Sequence, residues 1–157
     1  MGIALNLRSE VRPLLEGEVT LGELSLLGEA LLEELSPSGN SELSLLITGD
    51  REIAELNRRY RGVDSSTDVL SFPQGALPGS YGDEPQLLVG DVVISVEKAL
   101  FQARNLGHSL ADELLRLLIH GTLHLFDYDH EGVSPAELRE MEEMEERLYE
   151  RLCPLLS

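Results

Sequence analysis

Apolar residues recur along this chain at two periods, and segments of the two kinds alternate. Ile3 to Leu7 sets an apolar side chain at every second position, the period of a strand. Leu21 to Leu35 carries leucines at helical spacing and stops at the turn cluster Ser36-Pro37-Ser38-Gly39-Asn40. Leu43 to Thr48 again reads as a strand, and Asp50 is a candidate cap for a helix from about Arg51 to Tyr60. Val69 to Phe72 is a short strand, and residues 75–86, with three glycines and two prolines, form a loop. The valine-rich run Leu87 to Ser95 is a strand whose last residue can cap a helix through Arg104. A further helix starts near Leu110, and an amphipathic one runs from Ser134-Pro135 to about Leu152. No repeat and no linker divides the chain, so residues 1–157 are read as one domain. The expected fold is α/β (α+β), a small mixed sheet of about four strands covered by about five helices. Leu31, Leu35, Leu114, Leu117, Leu118, Leu138 and Leu148 are the candidate core-facing positions.

Charge and cysteine usage narrow the setting. The net charge of -17 argues against indiscriminate binding to nucleic acid, whose phosphates attract cationic surfaces. The excess is uneven: Glu131 to Arg151 holds eight glutamates against three arginines, mostly a solvated helix face. Arg51 to Arg61 holds four arginines against Glu52 and Glu55, which makes this helix the candidate landing surface for RNA. The single Cys153 excludes an intramolecular disulfide and a cysteine-based metal site, and fits a reducing compartment. Met1 to Leu7 is too short and too polar for a signal peptide, and no apolar run approaches the roughly 20 residues of a membrane span. A cytoplasmic location without membrane contact is expected.

Candidate chemistry is concentrated in His120-Gly-Thr-Leu-His124-Leu-Phe-Asp-Tyr-Asp-His130, which holds three of the four histidines. On a helix, His120 and His124 project from one face a turn apart. A turn after His124 would swing His130 back toward them. Three imidazoles with a position left for water is the donor set of a catalytic zinc site, although nickel, copper or iron would accept the same ligands. One metal ion per chain, zinc first, is expected. His108 stands outside this motif and reads as a surface histidine.

The spacing matches that of metzincin peptidases, H-E-x-x-H-x-x-G-x-x-H, in which the glutamate after the first histidine is the general base. Here that place is Gly121, and the metzincin glycine is replaced by Asp127. A zinc peptidase is therefore a competing reading that lacks its base, and no other general base can be named from the sequence.

Four ordered blocks carry a more specific resemblance: Leu56-Asn57-Arg58-Arg59-Tyr60-Arg61, Ser66-Thr67-Asp68-Val69-Leu70-Ser71-Phe72-Pro73, Gly90-Asp91-Val92-Val93-Ile94-Ser95, and the histidine motif closing Tyr128-Asp129-His130. Together with the helix around Met141-Glu142-Glu143-Met144-Glu145, they resemble the YbeY family of bacterial endoribonucleases from about residue 45 to about 150. Two positions depart from the family pattern: Ser66 replaces a proline, and Asp127 a glycine at a helix end where positive φ is favoured. The resemblance implies a single-strand-specific, metal-dependent endoribonuclease that matures the 3′ end of small-subunit (16S) ribosomal RNA and contributes to ribosome quality control. Its implied partners are ribosomal RNA, the small ribosomal subunit and ribosome-associated proteins. It implies His120, His124 and His130 as metal ligands, Arg61 as a phosphate contact, and Thr67, Asp68 and Ser71 as walls of the site. Asp129 would orient a ligating imidazole or cap the turn. A non-catalytic ribosome-assembly factor with a structural metal is the second alternative.

Overall fold

The computed structural model describes residues 2–36, 41–73, 88–126 and 134–156. In chain order the elements are β1 (Gly2–Leu7), α1 (Arg12–Leu15), α2 (Leu21–Leu35), β2 (Glu42–Thr48), α3 (Asp50–Arg61), β3 (Val69–Pro73), β4 (Leu88–Ser95), α4 (Val96–Leu106), α5 (Leu110–Leu125) and α6 (Pro135–Leu152). The four strands form one mixed sheet in the order β1-β2-β4-β3. The first three are mutually parallel, and β3 closes one edge antiparallel to β4, with Ser71 opposite Val92 and Phe72 opposite Asp91.

Strand alternation sends side chains to two cores of unequal size. Leu43, Leu45, Ile47, Val92 and Ile94 enter the larger one, beside leucines of α2 and α5. Leu70, Phe72 and Val93 face the other way and meet Ile53, Leu56 and Tyr60 of α3. Helices α2 and α5 therefore cover one face and α3 the other, while α4 and α6 pack on α5. Of the expected core positions, Leu31, Leu114, Leu117, Leu118 and Leu148 are buried, and Leu35 packs part-buried against the core. Leu138 is part-exposed.

Local signals explain most helix ends. Ser95, Ser109 and Ser134 each accept a backbone N–H from the third residue of the helix they cap. Thr20 and Glu23 form a reciprocal capping box on α2. Asp50 differs from expectation: Gly49 holds the cap position of α3 and Asp50 already lies in its first turn. The Asp50 carboxylate instead accepts from Ser95 Oγ (2.8 Å) and Lys98 Nζ (3.3 Å), fastening the start of α3 to the end of β4. Among the described residues there are six α-helices, one more than expected. The addition is α1, a single turn with Pro13 near its start. The loop expected at 75–86 lies outside the described residues.

Candidate functional site

Helix α5 is set against β3 and β4 at a position where it has no room for a side chain. A Cβ on Gly121 would come within 2.9 Å of Val92 Cγ1, 3.0 Å of Val69 Cγ2 and 3.2 Å of Ser71 Oγ. The Ser71 hydroxyl donates to the Gly121 carbonyl at 2.6 Å, fixing the helix to the edge strand between the two histidines. Gly121 thus faces the sheet, while His120 and His124 stand part-buried off it. A glutamate at 121 would have to enter the core rather than the site, so the peptidase base is excluded by packing as well as by identity.

The two imidazoles converge. Their Nε2 atoms are 3.1 Å apart, and the rings meet edge to face with centroids 4.7 Å apart. Two nitrogens bound to one tetrahedral zinc at about 2.05 Å would lie about 3.3 Å apart, so the pair needs little adjustment to share an ion. The helix C-terminus, where carbonyl dipoles favour a cation, is within one turn of His124. On the other edge of its ring, His120 Nδ1 is 2.8 Å from Glu145 Oε1 of α6. A carboxylate only accepts, so Nδ1 carries a proton, and in the neutral ring the lone pair is then on Nε2. Glu145 was not singled out from the sequence, where it sits in a run of similar glutamates.

His130 and Asp129, the expected third ligand and its neighbour, lie outside the described residues, as does Asp127. Among the described residues no group of three His, Cys, Asp or Glu side chains is gathered to hold an ion. Of the expected centre, the described residues supply the pair His120–His124 with its outer carboxylate, a donor set whose chemistry fits zinc.

The sheet register locates the arginines relative to this pair. Leu125 approaches Gly90, where an added Cβ would collide with the Phe72 carbonyl and lie 2.9 Å from a Leu125 methyl. With Gly121 over Val92, α5 therefore runs antiparallel to β4 and ends at the start of that strand. Helix α3 runs the same way on the opposite face, from Asp50 beside Ser95 to Tyr60, whose ring meets Phe72 edge to face at 5.8 Å. The C-terminal ends of α3 and α5 thus straddle the last residues of edge strand β3. Arg58, Arg59 and Arg61 occupy the last turn of α3, all exposed, before Gly62 ends it in the left-handed region at φ 71°.

Thr67 and Asp68 immediately precede β3, whose first residue, Val69, lies beneath Gly121. Asp68 accepts from the Val69 N–H (2.8 Å) and Gln102 Nε2 (3.1 Å), while its carbonyl accepts the Ser95 N–H (2.9 Å). Those bonds tie the strand to α4. Nearby, His108 departs from the surface position expected of it: Nε2 is 3.6 Å from Glu113 Oε1, and the two side chains are 27% and 7% exposed. Burial pushes the Glu113 carboxyl up, against the opposing pull of His108 and Arg116. On the far side of α3, the hydrogen bond from Arg8 holds the Glu52 carboxyl below its ordinary range.

Comparison with known proteins matches this chain, over residues 20–153, to the family model described as "Endoribonuclease YbeY". The endoribonuclease YbeY of Aquifex aeolicus is 52% identical over 105 residues, covering 66% of this chain and 67% of its own. That of Pelotomaculum thermopropionicum is 43% identical over 143 residues, covering 88% and 93%. The solution structure of TM1509 from Thermotoga maritima superimposes with a TM-score of 0.58 at 28% identity, covering 96% of this chain and 88% of that one. The histidine pair, the glycine that seats its helix and the arginine turn all fall within the matched span, and the chain belongs to the endoribonuclease YbeY family.

Proposed function

We propose that this protein is a single-strand-specific, zinc-dependent endoribonuclease acting in 16S rRNA 3′-end maturation and ribosome quality control, in the cytoplasm. Endoribonuclease activity follows from membership of the family and from the names its relatives bear. The observation that carries the metal-dependent reading is the facing pair of Nε2 atoms, 3.1 Å apart at the end of α5. His120, His124 and His130 would hold one zinc ion, and when bound it supplies Lewis acidity toward a phosphoryl oxygen.

The chain's own residues account for the rest of the proposed chemistry. Arg61 would neutralise charge that builds on the phosphate, a role for which its permanent charge and planar fork are suited. An RNA strand crossing the end of β3 would meet the arginine turn of α3 on one side and the histidines on the other. Ser71 and Gly121 hold the helix that bears them, and Glu145 stands behind His120. The sheet beneath Gly121 leaves no space for a peptidase base. Non-catalytic ribosome assembly remains the second reading, favoured by the net charge of -17, which leaves much of the RNA affinity to a protein or ribosomal partner.

The test is cleavage of single-stranded RNA and of unstructured casein by the metal-loaded protein. RNA should be cut and casein left intact. Arg61→Ala should slow RNA cleavage by about 10²–10³-fold, the scale of one lost transition-state donor, with unchanged metal content. Wild-type cleavage by that variant would remove the phosphate-contact role. No cleavage of RNA by the wild type, even on ribosomal particles, would move the assembly reading to first place.

A further inference from the structure

We propose that Glu145 is a positioning residue for the metal centre, holding His120 in the tautomer and ring orientation that aim Nε2 at the ion. This rests on the proposal that the histidines bind metal. The sequence offers a run of glutamates on α6, and the structure separates one from the others. Glu137, Glu140, Glu142, Glu143, Glu146 and Glu150 are exposed, whereas Glu145 is part-buried. It shares a helical stripe with Met141 and Leu148, which are 1% and 2% exposed and belong to the main core. That stripe faces α5, so the packing of α6 carries this carboxylate to His120.

The contact has the geometry its role requires. At 2.8 Å, His120 Nδ1 to Glu145 Oε1 has the length of a charge-assisted hydrogen bond. The second torsion of a histidine is broad, so the rotamer by itself does not fix the plane of the ring. A bond to Nδ1 does. With the proton held there, the neutral ring aims its Nε2 lone pair toward His124 Nε2.

Zinc affinity of the full chain, measured by competition with a chromophoric chelator, tests this without reference to activity. Glu145→Ala should weaken zinc binding about 10–100-fold while leaving about one ion per chain at saturation. Glu145→Gln, whose amide oxygen accepts the same bond, should recover part of the loss, and it preserves shape should the alanine variant fail to fold. Glu146→Ala, a neighbouring exposed carboxylate, should bind as the wild type does. Nitrogen-15 spectra of the metal-free protein should show His120 as the Nδ1–H tautomer in the wild type and a tautomer mixture in Glu145→Ala. Wild-type affinity in both Glu145 variants would overturn the inference and leave the metal-binding proposal standing. Undiminished zinc binding by His124→Ala would overturn that proposal itself.

Discussion

Adding one methyl group at Gly121 should destabilise the protein, although alanine is the better helix former. In a helix interior, replacing glycine by alanine is worth about 0.8–1 kcal/mol in favour of the helix. Against this, the new methyl would lie 2.9 Å and 3.0 Å from methyl carbons of Val92 and Val69 and 3.2 Å from Ser71 Oγ. Valine is stiff at χ1, and Val92 is fully buried, so the neighbours cannot swing aside as a long side chain would. Overpacking of this kind costs about 1–3 kcal/mol. Moving α5 outward would also stretch the 2.6 Å bond from Ser71 to the Gly121 carbonyl, a contact worth about 1 kcal/mol. The sum is a loss of about 1–3 kcal/mol, or roughly 2–12 °C in melting temperature for a chain of this size. Gly22 provides the control. It is exposed in the first turn of α2, and the nearest atom to its added Cβ is Thr20 Oγ1 at 3.8 Å. Gly22→Ala should therefore be neutral or stabilising by up to about 1 kcal/mol. Thermal melts of the two variants with the wild type decide the matter. If Gly121→Ala melts as high as Gly22→Ala, the tight seating of α5 on the sheet is wrong.

Two further outcomes follow from separate parts of the molecule. Metal bound to the folded state alone should stabilise it by mass action, so chelation should lower the melting temperature by several degrees, on the order of 1–3 kcal/mol, without unfolding the protein. Outright unfolding on chelation would instead favour a structural metal and the assembly-factor reading. Glu113 has its carboxyl pushed up by burial, so its contribution is fully present below the ordinary carboxylate range and is lost as pH rises through the raised value. The stability of Glu113→Gln relative to the wild type should accordingly increase from pH 4 to pH 8, measured by denaturant melts. A difference that stays flat over that interval would show that the buried carboxyl is not titrating as its surroundings require.

Long periodic segments were legible, and contacts between segments were not. The span of α2 agrees with its leucine spacing at both ends, and β2, β4 and α6 agree within one residue. Helix α1 is too short to establish a period, even though Val11, Leu15 and Val19 are buried at intervals of four. Asp50 has the composition of a cap, but the side chains that claim it, Ser95 and Lys98, are more than forty residues away. Gly121 could be read only as a missing base, because a helical pattern does not say which strand lies under it. The geometry adds the reason for the glycine. Glu145 was hidden among its neighbours, although the stripe Met141, Glu145, Leu148 was a signal available at helical spacing. The histidine pair was legible because i and i+4 on a helix must meet. Asp68, grouped with Thr67 and Ser71 by resemblance, is held by Val69, Gln102 and Ser95, whereas Ser71 bonds the histidine helix directly.

The most direct test of the account is a paired measurement on the wild type and His124→Ala: zinc content of the purified chains, and their rate of cutting single-stranded RNA. The facing Nε2 atoms predict about one zinc per wild-type chain together with cleavage, and the loss of both in His124→Ala while the variant stays folded. A His124→Ala protein that keeps its metal and cuts RNA at the wild-type rate would contradict the claim that these histidines form the catalytic centre.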